Sequence, residues 1–372
     1  MSRLLFLTVM PAPYQRELFA AVNRLPNIRA EVRYFTAMSK DRDWRDQSLS
    51  SSESVMPGTT LDRLGASAHW NHTVISEIKA SQADLVVVSD YSAPTAQLAM
   101  RYLAASRRPF MFWGEVPGFS RRGPIGSWLR SRLQDPIHSA AGIAAIGTLA
   151  AEAYRGLFPG KPVFNIPYFC DLSRFEVARL ARSSNLTGDI VILFSGQLID
   201  RKGVDVLLAA FSAAASRNPK LRLRLLGSGP ERERYRALVS ADIADRVEFA
   251  GHKDPSELPD EFARADVFCL PSRHDGWGVV VNEALGAGLP IIVSDAVGAG
   301  RDLVRDGYNG MVTPAEDINA LTDALLRIGD DNDLRSKMAE NSRALAKSWG
   351  IEEGAHRWVE AAQNVLSASP AA

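Results

Sequence analysis

A chain of 372 residues is too long for one ordinary core and suits two domains of about 150 to 190 residues each. With 46% hydrophobic and 23% charged residues the composition is that of a folded globular enzyme, which excludes collagen-like and disordered classes. The 43 basic and 43 acidic side chains cancel, so no global field draws the chain to nucleic acid or to an anionic surface, and any such attraction is local.

The first apolar run, Leu4 to Met10, is stopped by Pro11 and Pro13. Its roughly seven residues are short for a signal peptide. No later run approaches the roughly 20 residues of a membrane span. A cytoplasmic location is expected, with attachment at most to the inner face of the cytoplasmic membrane. Short runs rich in β-branched residues then alternate with helical periodicity, the signature of parallel βαβ units. In the first half they predict strands near Leu4–Val9, Ala30–Tyr34, Leu85–Ser89, Phe110–Phe112 and Ile143–Ile146. Val9-Met10-Pro11-Ala12-Pro13-Tyr14-Gln15-Arg16 closes the first of these, at the strand end where α/β sheets bind ligands. The polar, Ser-rich segment from Ser39 to His72 reads as a long loop beside the sheet edge.

Trp113-Gly114-Glu115-Val116-Pro117-Gly118 puts an acid at the carboxyl end of a strand. Glu115 there suits an acceptor hydroxyl, and reads equally as a turn acid without a partner. From Arg121 to Gln134, Ile125, Leu129 and Leu133 recur at four-residue spacing beside Trp128, with Arg121, Arg122, Arg130 and Arg132 supplying charge. Such a helix suits an anionic membrane surface, and the competing expectation is that its apolar face packs into the core.

Asn165-Ile166-Pro167-Tyr168 ends the first series, and the small, polar stretch from Ala181 to Gly188 fits a hinge, so the domain boundary is placed near residue 170. A second series gives strands near Ile190–Ser195, Leu221–Leu226, Val247–Ala250, Val267–Leu270 and Pro290–Ser294. Helical patterns follow from Ile318 to about Val365, broken near Ser348-Trp349-Gly350. Cys170 and Cys269 show no metal-ligand spacing and read as buried thiols. The acids of Asp41-Arg42-Asp43 and Asp331-Asn332-Asp333 do not close apolar strands and read as solvated loop residues.

Two strings carry the chemistry. In Phe194-Ser195-Gly196-Gln197-Leu198-Ile199-Asp200-Arg201-Lys202-Gly203-Val204-Asp205, a strand passes through a glycine turn into a helix, with cations at the turn. The second runs from Pro271-Ser272-Arg273-His274-Asp275-Gly276-Trp277-Gly278-Val279 through Glu283 to Pro290. Gly276 and Gly278 allow a tight turn whose N–H groups open toward an anion at a helix start. Asp275 precedes that turn and Glu283 is expected about one and a half helical turns along. Carboxylates suit vicinal hydroxyls, because each oxygen accepts a charge-assisted hydrogen bond.

An acid, Gly-aromatic-Gly, apolar residues and a Glu eight positions after the first acid resemble the acidic motif of the retaining glycosyltransferases of family 4, the glycosyl transferases group 1. The resemblance is specific over residues of about 190 to 315. It implies the GT-B architecture: two Rossmann-like doubly wound α/β domains facing across a cleft, an acceptor domain 1–170 and a nucleotide-sugar domain 171–349. A helix over about 350–368 would cross back to the first domain. It also implies that Asp275 contacts the donor sugar, Glu283 the ribose and Lys202 the diphosphate. Gly196, Gln197, Arg201, Gly251, His252, Gly276, Trp277, Gly278 and Val279 would complete the donor site. The chain departs from the family at Asp275, where Glu is usual, and at Gln197, where many members carry Arg; Arg201 is the residue expected to substitute.

The implied reaction moves a hexosyl unit, with retention, from a UDP- or GDP-sugar to an acceptor hydroxyl, as on a lipid-linked saccharide in cell-surface polysaccharide or lipopolysaccharide synthesis. No metal and no cofactor are expected. The alternatives are a nucleotide-sugar epimerase of the same fold and a non-catalytic nucleotide-sugar-binding protein. A dehydrogenase is a poor fit, since no glycine fingerprint with an acid about twenty residues on opens either half.

Overall fold

The computed structural model describes residues 1–38, 48–60, 68–117, 123–181 and 188–368. Its backbone separates into two units, Met1–Tyr168 with Ile351–Ala372, and Phe169–Gly350.

In the first unit the elements run β1 (Ser2–Thr8), α1 (Pro13–Arg24), β2 (Ile28–Tyr34), β3 (Glu53–Val55), β4 (Thr59–Thr60), β5 (His69–Trp70), α2 (Val74–Ala80), β6 (Leu85–Ser89), α3 (Pro94–Ala105), β7 (Phe110–Gly114), α4 (Pro124–Gln134), β8 (Gly142–Ala145), α5 (Thr148–Leu157) and β9 (Val163–Asn165). Seven strands form one parallel sheet in the order β3-β2-β1-β6-β7-β8-β9. Leu4 to Leu7 of β1 and Leu85 to Val88 of β6 are buried along their whole length, as continuous apolar runs are when helices cover both faces of a parallel sheet. Pro13 opens α1 at a position where its missing N–H costs nothing. Leu18, Phe19 and Val22 of α1 face the sheet.

The second unit runs α6 (Ser173–Ala181), β10 (Ile190–Ser195), α7 (Val204–Arg217), β11 (Leu221–Leu226), α8 (Arg232–Ala237), β12 (Val247–Gly251), α9 (Leu258–Ala263), β13 (Val267–Leu270), α10 (Val280–Gly286), β14 (Ile291–Ser294), α11 (Gly298–Leu303), β15 (Gly310–Thr313), α12 (Ile318–Asp330) and α13 (Asn332–Ala346). Its sheet is again all parallel, in the order β12-β11-β10-β13-β14-β15. Asp331, read from sequence as a solvated acid, caps α13 by accepting from the N–H of Leu334 at 2.9 Å. The last helix, α14 (Ile351–Ala368), belongs to the first unit. There Trp358 stands edge-on to Phe6 and Trp113, with centroids 5.0 and 5.3 Å apart, and α14 lies along α1. Among the described residues no helix is long and apolar enough to cross a membrane.

The segment expected to be a long loop is more ordered than its composition suggests. Its described residues supply β3, which pairs with β2, and the antiparallel pair β4 and β5. Polar anchors hold it. Glu53 accepts from Arg16 Nε at 2.9 Å, from the Tyr34 hydroxyl at 2.6 Å and from Ser50 Oγ at 2.8 Å. Asn71, fully buried, donates to the carbonyls of Phe35 and Met56. A pattern of apolar periodicity has no way to register such anchors.

The Glu53 cluster sets a pH dependence. Burial alone would raise the carboxyl, but Arg16, Tyr34 and Ser50 together bring it from the ordinary 4.5 down to about 2. Its contribution is therefore complete above pH 4.5 and is lost as the pH falls through about 2. Glu53→Gln should lower stability at neutral pH and flatten the acid side of the profile. Urea unfolding at about pH 6 and about pH 3 measures this, and identical slopes in both proteins would refute it.

Candidate active site

In the second sheet the strand order turns at β10 and β13: successive strands run outward from β10 on one side and from β13 on the other. The carboxyl ends of two such strands leave the crevice in which α/β sheets bind ligands. The residues that carried the sequence motifs come together there. After β10, Gly196 to Ile199 lead into a 3₁₀ turn, Asp200–Lys202, which Gly203 ends in the left-handed region at φ +67°. After β13, Pro271 to Val279 turn into α10.

Across this junction Lys202 Nζ donates to Asp275 Oδ2, and both side chains are nearly buried. The Arg201 guanidinium lies 3.5 Å from the other carboxylate oxygen and donates to the His274 carbonyl at 3.3 Å. Burial would raise the Asp275 carboxyl, but Lys202 and then Arg201 outweigh it and hold it below the ordinary carboxylate value. Burial, with Arg201 and Lys202 nearby, lowers His274. Gly278 takes φ +89°, and the N–H groups of Gly276, Trp277, Gly278 and Val279 find no protein acceptor among the described residues. The junction thus presents two cations, one carboxylate and a short run of open N–H groups, which suits an anion joined to a polyhydroxylated group.

Residues 178–345 match the family model described as Glycosyl transferases group 1. That match covers most of the second unit. Among curated relatives, an uncharacterized glycosyltransferase of Haemophilus influenzae is 30% identical over 48% of this chain, and the match spans only half of that relative's length. A GDP-mannose-dependent alpha-(1-6)-phosphatidylinositol monomannoside mannosyltransferase of Mycobacterium tuberculosis is 26% identical over 78% of this chain and 75% of its own. Among solved structures, the sucrose-phosphate synthase of Thermosynechococcus elongatus superposes with a TM-score of 0.77 at 20% identity, over 99% of this chain and 100% of that one. The two Rossmann-like units are those of the GT-B fold.

The other expected site residues are distributed unevenly. Gly196 and Gln197 are half-buried in the loop after β10. Gly227 at the end of β11 packs directly under that loop: a Cβ there would stand 1.8 Å from the Gly196 carbonyl oxygen. Gly251 accepts from the Gly227 N–H at 2.8 Å, while His252 is exposed and 3.9 Å from Asp254. Trp277 lies in the turn after β13. Its indole is 1% exposed and donates inward to Asn282 at 2.9 Å, so it braces the turn and leaves only its backbone to a ligand. Glu283 also moves relative to expectation. Because α10 starts only at Val280, Glu283 falls in its first turn rather than one and a half turns along.

Glu115 belongs to the other unit, one residue beyond β7, where it is exposed and its carbonyl accepts from the Tyr154 hydroxyl at 2.8 Å. On α4, Trp128 is 59% and Leu129 46% exposed, so these two side chains are not packed into the core, while Leu133 is half-buried. Arg132 lies over the Trp128 ring, whereas Arg121 and Arg122 lie outside the described residues. Among the described residues no group of three His, Cys, Asp or Glu side chains could hold a metal ion. Sequence reasoning passed over Arg273 and Asp205, whose side chains pair across the same junction.

Proposed function

We propose that the chain is a retaining glycosyltransferase that moves a hexosyl unit from a UDP- or GDP-sugar to an acceptor hydroxyl, on a lipid-linked saccharide of a cell-surface glycan. The observation that carries this reading is the buried Lys202–Asp275 pair at the turning point of the second sheet, flanked by Arg201 and the open N–H groups of the β13 turn. The donor's diphosphate would take Lys202 from Asp275 and lie against those N–H groups. The freed carboxylate would then accept hydrogen bonds from the sugar hydroxyls, and Glu283 from the ribose.

In the reaction the bond from the anomeric carbon to the diphosphate oxygen breaks. The acceptor oxygen forms its bond on the same face, and the acceptor's proton passes to the departing diphosphate. Lys202 and Arg201 meet the negative charge that grows on the leaving group, which needs neither a metal nor a cofactor. That the mycobacterial relative is named for GDP-mannose supports a nucleotide-diphosphate sugar as the class of donor. Incubation with a panel of UDP- and GDP-sugars should release nucleotide from one of them in the wild type and not in Lys202→Met. Equal release by both proteins would remove this reading.

The exposed Trp128 and Leu129 favour a second reading, in which α4 rests on an anionic membrane with Arg130 and Arg132 toward the head groups. Co-sedimentation with anionic vesicles at low salt should fall several-fold in Trp128→Ser, and a wild type that stays in the supernatant would end it.

A further inference from the structure

We propose that Arg273 is the positioning residue that keeps the two halves of the donor site in register. The inference rests on the donor reading above. Lys202 arrives on the loop after β10 and Asp275 on the turn after β13, 73 residues later, and the two strands share only the pairs Ile192 with Val267 and Leu193 with Phe268. That short ladder leaves the loops beyond it to be fixed by other contacts.

Arg273, two positions before Asp275, supplies them. Its Nη1 and Nη2 donate to the two carboxylate oxygens of Asp205 at 2.9 Å each. Nη1 also reaches the Asp200 carbonyl at 2.6 Å, and Nε reaches Glu316 at 2.9 Å. Its backbone N–H donates to the Arg201 carbonyl at 2.8 Å, next to Lys202 itself. One residue therefore grips both ends of the segment from Asp200 to Asp205. Asp205 stands in the first turn of α7, where an acid is favoured, and Arg234 of α8 approaches it to 3.6 Å from the other side. Only a planar fork satisfies both oxygens of Asp205 at once; an ammonium at the same place is a point charge. The Glu316 branch is solvent-exposed and contributes little, so Asp205 is the partner that matters.

Arg273 acts through Lys202 and Asp275, and its loss has a signature that general loosening lacks. A nucleoside diphosphate draws Lys202 away from Asp275 and makes no contact with that carboxylate, whereas a sugar nucleotide also needs Asp275 correctly spaced from Lys202 to reach its sugar. Calorimetry on the whole chain with UDP against UDP-glucose, and GDP against GDP-mannose, separates the two. In Arg273→Met the dissociation constant for the sugar nucleotide should rise about tenfold or more, with that for the diphosphate changing less than about threefold. Arg273→Lys should fall between, and Glu316→Gln should match the wild type. If Arg273→Met does not fold, Arg273→Lys carries the same comparison. Equal weakening toward both ligands, or no weakening, overturns the positioning role while leaving the donor site intact. A wild type that binds none of the four ligands overturns the donor reading, and this inference with it.

Discussion

Lys202→Met is expected to cost catalysis about a hundredfold or more in kcat/KM and to destabilise the second unit by about 3 kcal/mol. The two losses have different origins. Catalysis loses the cation that meets charge on the departing diphosphate. Stability falls because Asp275, only 8% exposed, is left without the ammonium that held it ionised. Arg201 at 3.5 Å recovers part of that interaction, which keeps the expected figure at the lower end for a broken buried pair. Adding Asp275→Asn removes the stranded charge, so the double variant should regain most of the stability and none of the activity. Urea unfolding together with nucleotide-release kinetics distinguishes the two terms. A double variant no more stable than Lys202→Met would show that the pair is not the buried unit described here.

Gly203→Ala is expected to be a severely damaging single-methyl change in the donor site, at about 3 kcal/mol or more. Two costs add. The residue sits at φ +67°, which penalises any side chain by roughly 1–2 kcal/mol, and its new Cβ would stand 2.2 Å from the Pro271 carbonyl oxygen. Both neighbours are backbone, so relief requires the loop after β10 to move away from the turn after β13, carrying Lys202 from Asp275. Donor affinity should fall along with thermal stability. Gly160→Ala is the control: it has φ +83° but open space around the added methyl, and should show the conformational penalty alone. Equal melting temperatures for the two variants would mean that the close approach at Pro271 is unimportant.

How far the sequence carries the reader depends on what each feature is made of. Most strands of both sheets were legible because burial on two faces leaves unbroken apolar runs, such as Leu4 to Leu7 and Ile190 to Phe194. Lys202 and Asp275 were legible as motif members, since glycine turns, a cation and an acid at strand ends are local signals. Their pairing with each other is a product of the sheet order and was not. The same holds for Arg273 and Asp205, whose bond spans 68 positions. β3 and the β4–β5 pair were missed because their anchors are the polar residues Glu53 and Asn71. The place of Trp277 in the donor turn was legible, but its inward bond to Asn282, which makes its side chain a brace, was not. On α4 periodicity marked an apolar face without saying which way it points; the exposed Trp128 answers that.

Calorimetric titration of the wild type and Lys202→Met with a panel of UDP- and GDP-sugars tests the donor site most directly. The site at the ends of β10 and β13 predicts saturable binding of at least one sugar nucleotide to the wild type, weakened about a hundredfold by the substitution. No association with any member of the panel, or the same affinity in both proteins, would contradict it.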